Sequence, residues 1–213
     1  MSARVRVSWA CVMAAAVLLF SPAAARAADL CELGASIGYL FVSEAQGPPW
    51  FSGTKFPSVS LAAGGRAWTM GLAVDYADNS ESFLGRVPGA ADSSERVEKT
   101  LSNTCLRFVA RLFPGGRDGA LAPYLGLGVG PAITRVAYEG ESTGAKESGY
   151  SVRLCYTVSV GSKLRIGKSP VSAFLEGSYG GLGETEKAEE DELDVPRDEL
   201  EFVSVAAGLG VSF

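Results

Sequence analysis

The stretch Val203-Ser204-Val205-Ala206-Ala207-Gly208-Leu209-Gly210-Val211-Ser212-Phe213 decides the fold. Its odd positions carry Val, Val, Ala, Leu, Val and Phe; the even positions between them carry only Ser, Ala and Gly. In an extended strand successive side chains point to opposite faces, so this segment has one apolar face and one small or polar face. The same period returns at Tyr150, Val152, Leu154, Tyr156, Val158 and Val160, set against Ser151, Arg153, Cys155, Thr157 and Ser159. It returns again at Trp68, Met70, Leu72, Val74 and Tyr76, set against Thr69, Gly71, Ala73 and Asp75. Three long runs almost free of phase errors predict β-strands.

Weaker runs lie between these. They start at Leu33, Thr104, Leu125 and Val171, and a short one runs from Val59 to Ala63, which brings the expected total to eight strands. A shift of apolar phase between Ile133 and Val136 predicts a bulge at Thr134 to Val136. The connections alternate in length. Long ones run over Glu44 to Phe56, Asp78 to Lys99, Glu139 to Gly149 and Gly180 to Leu200. Shorter ones use Gly64-Gly65-Arg66, Pro114 to Gly119 and Gly161 to Pro170. Long loops at one end and short turns at the other are the layout of a barrel that crosses an outer membrane.

Composition says which face points outward. The Gly- and Ser-rich face is too small to fill a soluble core, whereas the apolar face carries aromatics near the strand ends. Phe41, Tyr76, Tyr150 and Tyr179 are expected at one rim, and Trp68, Phe113 and Phe213 at the other, as two interfacial girdles. A soluble sandwich or lipocalin would need polar residues on the Trp68 to Tyr76 face, and none is there.

The N-terminus explains the rest of the hydropathy. Arg4 and Arg6 precede an apolar run from Val7 to Phe20, then Pro22 and Ala25-Arg26-Ala27. This predicts a cleaved export signal over 1–27 and a barrel domain over 28–213, since the run falls short of the roughly 20 residues of a spanning helix. The whole chain has 213 residues, with 24 acidic, 19 basic and no histidine. Absence of imidazole excludes mechanisms built on a histidine base or ligand. The acidic balance argues against nucleic acid as a partner.

On the final strand ending in Phe213, the Tyr124-Leu-Gly-Leu-Gly-Val-Gly130 segment and the signal peptide, the chain resembles the OmpA transmembrane-domain and OmpX/Ail-like group of small Gram-negative outer-membrane proteins. The resemblance implies an all-β, eight-stranded antiparallel up-and-down transmembrane barrel in the cell outer membrane. It implies contact with outer-membrane lipid and lipopolysaccharide, and a C-terminal signal at Val211 and Phe213 read by the outer-membrane assembly machinery. A monomer is expected. Because the chain stops at Phe213, the peptidoglycan-binding domain that follows many OmpA barrels is not expected.

The alternation points Glu32, Asp75, Arg107, Arg111, Arg153 and Glu176 into the barrel. An eight-stranded interior is just wide enough for side chains to fill, and ions there need partners. An internal salt-bridge plug is the expectation; an ion path that opens when pairs exchange partners is the alternative. The acids Glu184, Glu186, Glu189, Glu190, Asp191, Glu192 and Asp194, followed by Asp198, Glu199 and Glu201, lie with only two bases in the last long connection. They are expected to form a solvated external loop; collection of divalent cations near lipopolysaccharide, or presentation of charge to a basic partner, is the alternative.

Cys105 and Cys155 face inward at similar depth on strands four and six, and Cys31 takes the other face of strand one. With strands about 4.8 Å apart and one strand between them, the backbones of Cys105 and Cys155 are expected to exceed the roughly 7 Å limit for a disulfide. They read as small buried side chains. No cofactor and no enzymatic activity are expected, because the catalytic sites of known outer-membrane barrel enzymes rely on histidine. The function expected is a structural or surface-interaction role in envelope integrity or adhesion, with a lumen filled by polar side chains. A narrow channel for small solutes or ions is the alternative.

Overall fold

Eight antiparallel strands close on themselves in chain order in the computed structural model, which describes residues 30–42, 53–85, 87, 95–183 and 200–213. They are β1 (Leu30–Val42), β2 (Thr54–Gly64), β3 (Trp68–Gly85), β4 (Glu95–Leu112), β5 (Leu121–Gly140), β6 (Lys146–Arg165), β7 (Val171–Leu182) and β8 (Leu200–Ser212). The seam is a full antiparallel ladder between β1 and β8, from Glu32↔Ser212 to Val42↔Phe202. The 1–27 segment and the acids from Glu184 to Asp194 lie outside the described residues.

The outward faces carry the apolar stripe. Leu127, Val158, Leu175 and Leu209 are all more than half exposed, which in water would be a large unsatisfied surface and in lipid is the ordinary state. The stripe ends sharply. On β3 it runs from Trp68 to Tyr76, and the next outward residues are Asp78, Ser80 and Ser82; on β4 it runs from Leu112 up to Leu106, and Thr104 is followed by Ser102, Thr100 and Glu98. On β5 and β6 it gives way to Arg135 and Glu139 and to Ser148 and Lys146. Trp68 to Tyr76, level with Leu112 to Thr104, matches the roughly 9–11 residues a tilted strand needs to cross the hydrocarbon.

Four strands continue past that limit. β3 and β4 have 18 residues and β5 and β6 have 20, against 11 to 13 for the other four. The β2–β3 ladder stops at Ser58↔Asp75 and the β6–β7 ladder at Cys155↔Leu182. Beyond these points β3, β4, β5 and β6 continue as a projecting sheet, still tied to the barrel by Asn79 donating to Thr54 Oγ1 on β2 (3.2 Å) and by the buried inner-face residues Ala77, Leu101 and Val136.

Several expectations from sequence are corrected. The second strand is not confined to Val59–Ala63 but begins at Thr54. Much of Asp78 to Lys99 and of Glu139 to Gly149 is strand, because above the lipid both faces of a strand can be polar and the period-two signal fades. No bulge occurs at Thr134 to Val136: the β5–β6 register is continuous, and Thr134, Val136 and Tyr138 all point inward. Val136 is an apolar residue on the luminal face, and this alone produces the shift of phase in the sequence. Phe113 is no rim aromatic. One residue past outward Leu112, it turns inward and is 3% exposed.

The lumen is likewise polar for only part of its height. Toward the long-loop end Leu40, Val42, Phe56, Val97, Leu101, Val136, Leu182, Leu200 and Phe202 form an apolar cluster, with Val87 from the β3–β4 connection packed into it. This small hydrophobic core lies over the long-loop end of the lumen and extends up the inner face of the projecting sheet to Val97, which pairs with Phe83 and Gly140.

Candidate functional site

The polar part of the lumen is organised by the inward glycines of β5. Gly126, Gly128 and Gly130 present no side chains, so the long arginines of β4 lie across β5 toward β6. A Cβ on Gly128 would sit 2.5 Å from Thr157 Oγ1 and 3.4 Å from Arg107 Nη1. Through this gap Arg107 donates to Asp75 Oδ2 on β3 (2.6 Å) and to Thr157 Oγ1 on β6 (2.7 Å). One guanidinium thus ties three strands, and both ionic side chains are 13% exposed.

One layer nearer the short turns, Arg111 Nη2 lies 3.5 Å from Glu176 Oε2, and its guanidinium sits over the Tyr124 ring at 5.4 Å. The Tyr124 hydroxyl donates to the same Glu176 oxygen (2.9 Å). Phe113 packs against Tyr124 with ring centroids 5.5 Å apart, tilted at 51°. Below them Glu32 Oε2 accepts from Arg117 Nη2 (2.8 Å) and from Lys163 Nζ, and Arg117 Nη2 also lies 3.4 Å from Ser212 Oγ. These layers cross the lumen above the short-turn mouth, where a cavity of about 300 Å³ remains, bordered by Arg117, Lys163, Arg165, Lys168, Ser172 and Ser212.

On the other side of the Arg107 layer, Asn103 donates to Cys105 Sγ (3.5 Å) and accepts from Thr134 Oγ1 (3.4 Å), and Ser178 and Ser204 share a hydrogen bond (2.6 Å). Between this tier and the Arg111 layer is a cavity of about 60 Å³ bordered by Asp75, Arg107, Cys105, Cys155 and Glu176. It has room for a few waters.

The six charged residues picked from sequence all lie on the luminal face. The structure joins Asp75 to Arg107 and Arg111 to Glu176. Glu32 instead pairs with two cations that sequence reasoning left in turns. Lys163 keeps the inward phase of Ser159 and Gly161, so following the β6 alternation past Val160 finds it. Arg117 sits in a glycine-flanked turn with no period to read. Arg153, 3% exposed, is buried one inward position beyond Cys155. Val211 and Phe213 both face outward, at 42% and 71% exposure. Cys105 and Cys155 are unbridged and buried, and both border the luminal cavity.

A second polar cluster lies outside the lipid zone, at the tip of the projecting sheet. Glu95 Oε2 accepts from Ser142 N (2.8 Å), Ser142 Oγ (2.7 Å) and Thr143 N (2.9 Å), and Oε1 accepts from Thr143 Oγ1 (2.5 Å). These donors, the Thr143 hydroxyl foremost, hold the Glu95 carboxyl down to about 2. The bonds fasten the β5–β6 turn to the start of β4. Among the described residues no cluster of three metal-ligating side chains occurs.

No family model matches the chain, and no curated protein matches it. Solved structures do. Neisserial surface protein A superposes with a TM-score of 0.57 at 14% identity, over 86% of this chain and 97% of that one. A major outer membrane protein from Thermus thermophilus gives 0.59 at 11% identity, over 86% and 99%. Ail, the attachment invasion locus protein of Yersinia pestis, solved with the heparin analogue sucrose octasulfate, gives 0.50 at 13% identity, over 86% and 98%. The chain has the fold of the small eight-stranded outer-membrane β-barrels.

Proposed function

We propose that the protein resides in the outer membrane as a closed, monomeric barrel whose task is to hold an interaction surface outside the cell, in a structural or adhesive role. The observation that carries this reading is the pairing of a filled lumen with four strands that continue past the lipid band. The short turns face the periplasm. The β3 and β6 margins of the projecting sheet, each laddered on one side only beyond Asp75 and Cys155, present backbone edges of the kind that accept an added strand. Lipid and lipopolysaccharide surround the apolar stripe. The outward Val211 and Phe213 are the features for the assembly machinery to read. No enzymatic role is proposed.

The channel reading has less support, because solute would have to displace both the Glu32 tier and the apolar cluster around Val97 and Phe202. Two measurements test the proposal together. In planar bilayers the purified barrel should show no stable conductance steps. A variant with both projecting hairpins cut back to the lipid boundary, near Tyr76 and Thr104 and near Ile133 and Val152, should still shift mobility on boiling in detergent gels. It should also lose the attachment to cell surfaces that the full barrel confers on a non-adherent host bacterium. Persistent conductance steps, or unchanged attachment by the shortened variant, would overturn the reading.

A further inference from the structure

The cavity at the short-turn mouth is surrounded by bases that the surface role does not use. Arg117 of the β4–β5 turn and Lys163 of β6 belong to its buried wall, at 5% and 8% exposure, and Arg165 and Lys168 stand exposed at its rim. Glu32 pairs with both buried bases, so the four cations and one acid leave a net charge of three positive around the cavity. Among the described residues no acid pairs with Arg165 or Lys168, and Asp118, next to Arg117, is held by Arg66 (2.9 Å). Arg117 is also incompletely satisfied. Its Nη2 serves Glu32 and Ser212, while its buried Nη1 has no hydrogen-bond partner, an arrangement that is destabilising until an acceptor arrives. Ser212 Oγ accepts from Arg117, which leaves its hydroxyl proton to be donated.

We propose that this cavity is a binding site for a small soluble anion carrying a phosphate group, either inorganic phosphate or a phosphomonoester. The surplus of three positive charges suits a dianion better than a carboxylate. Its donors come from the β4–β5 turn, β6, the β6–β7 turn and β8, and donors arriving from several sides enclose a tetrahedral acceptor rather than a planar one. Ser172 and Ser212 border it from the luminal faces of β7 and β8, so it opens from the aqueous mouth rather than from the lipid side. The Glu32 tier forms its floor, which holds the anion at the mouth instead of passing it through the barrel. The orientation proposed above places this mouth in the periplasm; the chemistry of the pocket is independent of it.

The test is an amide NMR titration of the purified barrel in maltoside micelles at constant ionic strength. Inorganic phosphate should shift Gly119, Ser169 and Ser212 saturably, and acetate should not. Arg165→Gln combined with Lys168→Gln should weaken phosphate binding at least about tenfold. Lys146→Gln, which removes a base at the opposite end, should leave it unchanged. Phosphatidylglycerol added to the micelles should not reproduce the shifts. The heat-dependent mobility shift establishes that each variant folds. Absence of saturable shifts, equal binding of acetate, unchanged affinity in the double variant, or the same shifts produced by phosphatidylglycerol would each overturn the proposal, the last by assigning the site to a lipid headgroup.

Discussion

One carboxylate oxygen, Glu32 Oε2 on β1, accepts from Arg117 Nη2 at 2.8 Å and from Lys163 Nζ on β6, cations 85 and 131 residues further along the chain. A single acid near the first residue of the barrel therefore neutralises two bases delivered from the opposite wall. Its removal differs from the removal of either base.

Glu32→Ala leaves Arg117 and Lys163 buried together without their shared partner, which should cost about 3–5 kcal/mol. Arg117→Ala leaves Glu32 still paired with Lys163 and should cost clearly less. Urea titration of the folded gel band in detergent orders the two variants. Equal costs would show that the shared carboxylate is not the centre of this cluster.

Gly130→Ala should destabilise the barrel by about 1–3 kcal/mol, because its Cβ would lie 2.0 Å from the Leu106 carbonyl, a backbone atom with little freedom to retreat. Gly177→Ala, whose Cβ would find its nearest neighbour at 4.0 Å, should be close to neutral. The same urea assay compares them.

The lipid boundary makes a depth-dependent prediction. Leu127→Arg, at the middle of the β5 apolar run, should cost about 2–4 kcal/mol in a bilayer, whereas Ser102→Arg, above the Tyr76 level, should cost almost nothing. Unfolding from lipid vesicles measures both. A comparable cost at the two sites would move the boundary outward.

Acid should loosen the tip of the projecting sheet in a defined window. The Glu95 carboxyl titrates at about 2 when folded, against the ordinary 4.5, so its anchoring of Ser142 and Thr143 is fully present above about pH 5. That anchoring is lost as pH falls through the folded value. Amide resonances of Ser142 and Thr143 should shift with a midpoint at about 2, and Glu95→Gln should remove the titration. A midpoint at the ordinary 4.5 would show that these bonds do not form.

The lipid-facing half of the molecule was legible in the sequence because a bilayer enforces one rule on every residue it touches. Trp68 to Tyr76 and Val203 to Phe213 read cleanly for that reason. Above the bilayer the rule lapses: Asp78, Ser80, Glu98 and Thr100 are strand residues with polar side chains outward, and without an apolar face they read as loop. The inward charges Asp75, Arg107, Arg111 and Glu176 followed from parity alone. Arg117 did not, because turn residues have no parity, and neither did the apolar cluster around Val97 and Val136, which uses the face that is polar lower down. Phe113 was misplaced because an aromatic near a strand end suits the membrane interface, although the parity of Leu112 already assigned it to the inside.

The Glu32 tier also bears on how the last seam finds its register. β1 and β8 come from the two ends of the chain, and their small alternating residues would allow a sliding fit. A slip of β1 by one residue turns every one of its side chains to the opposite face. Glu32 would then enter lipid as an unpaired anion while Arg117 and Lys163 lost their counter-charge inside, so a misaligned closure is penalised twice. The Glu32 tier thus serves as an alignment key: the correct seam alone brings that acid to those two bases.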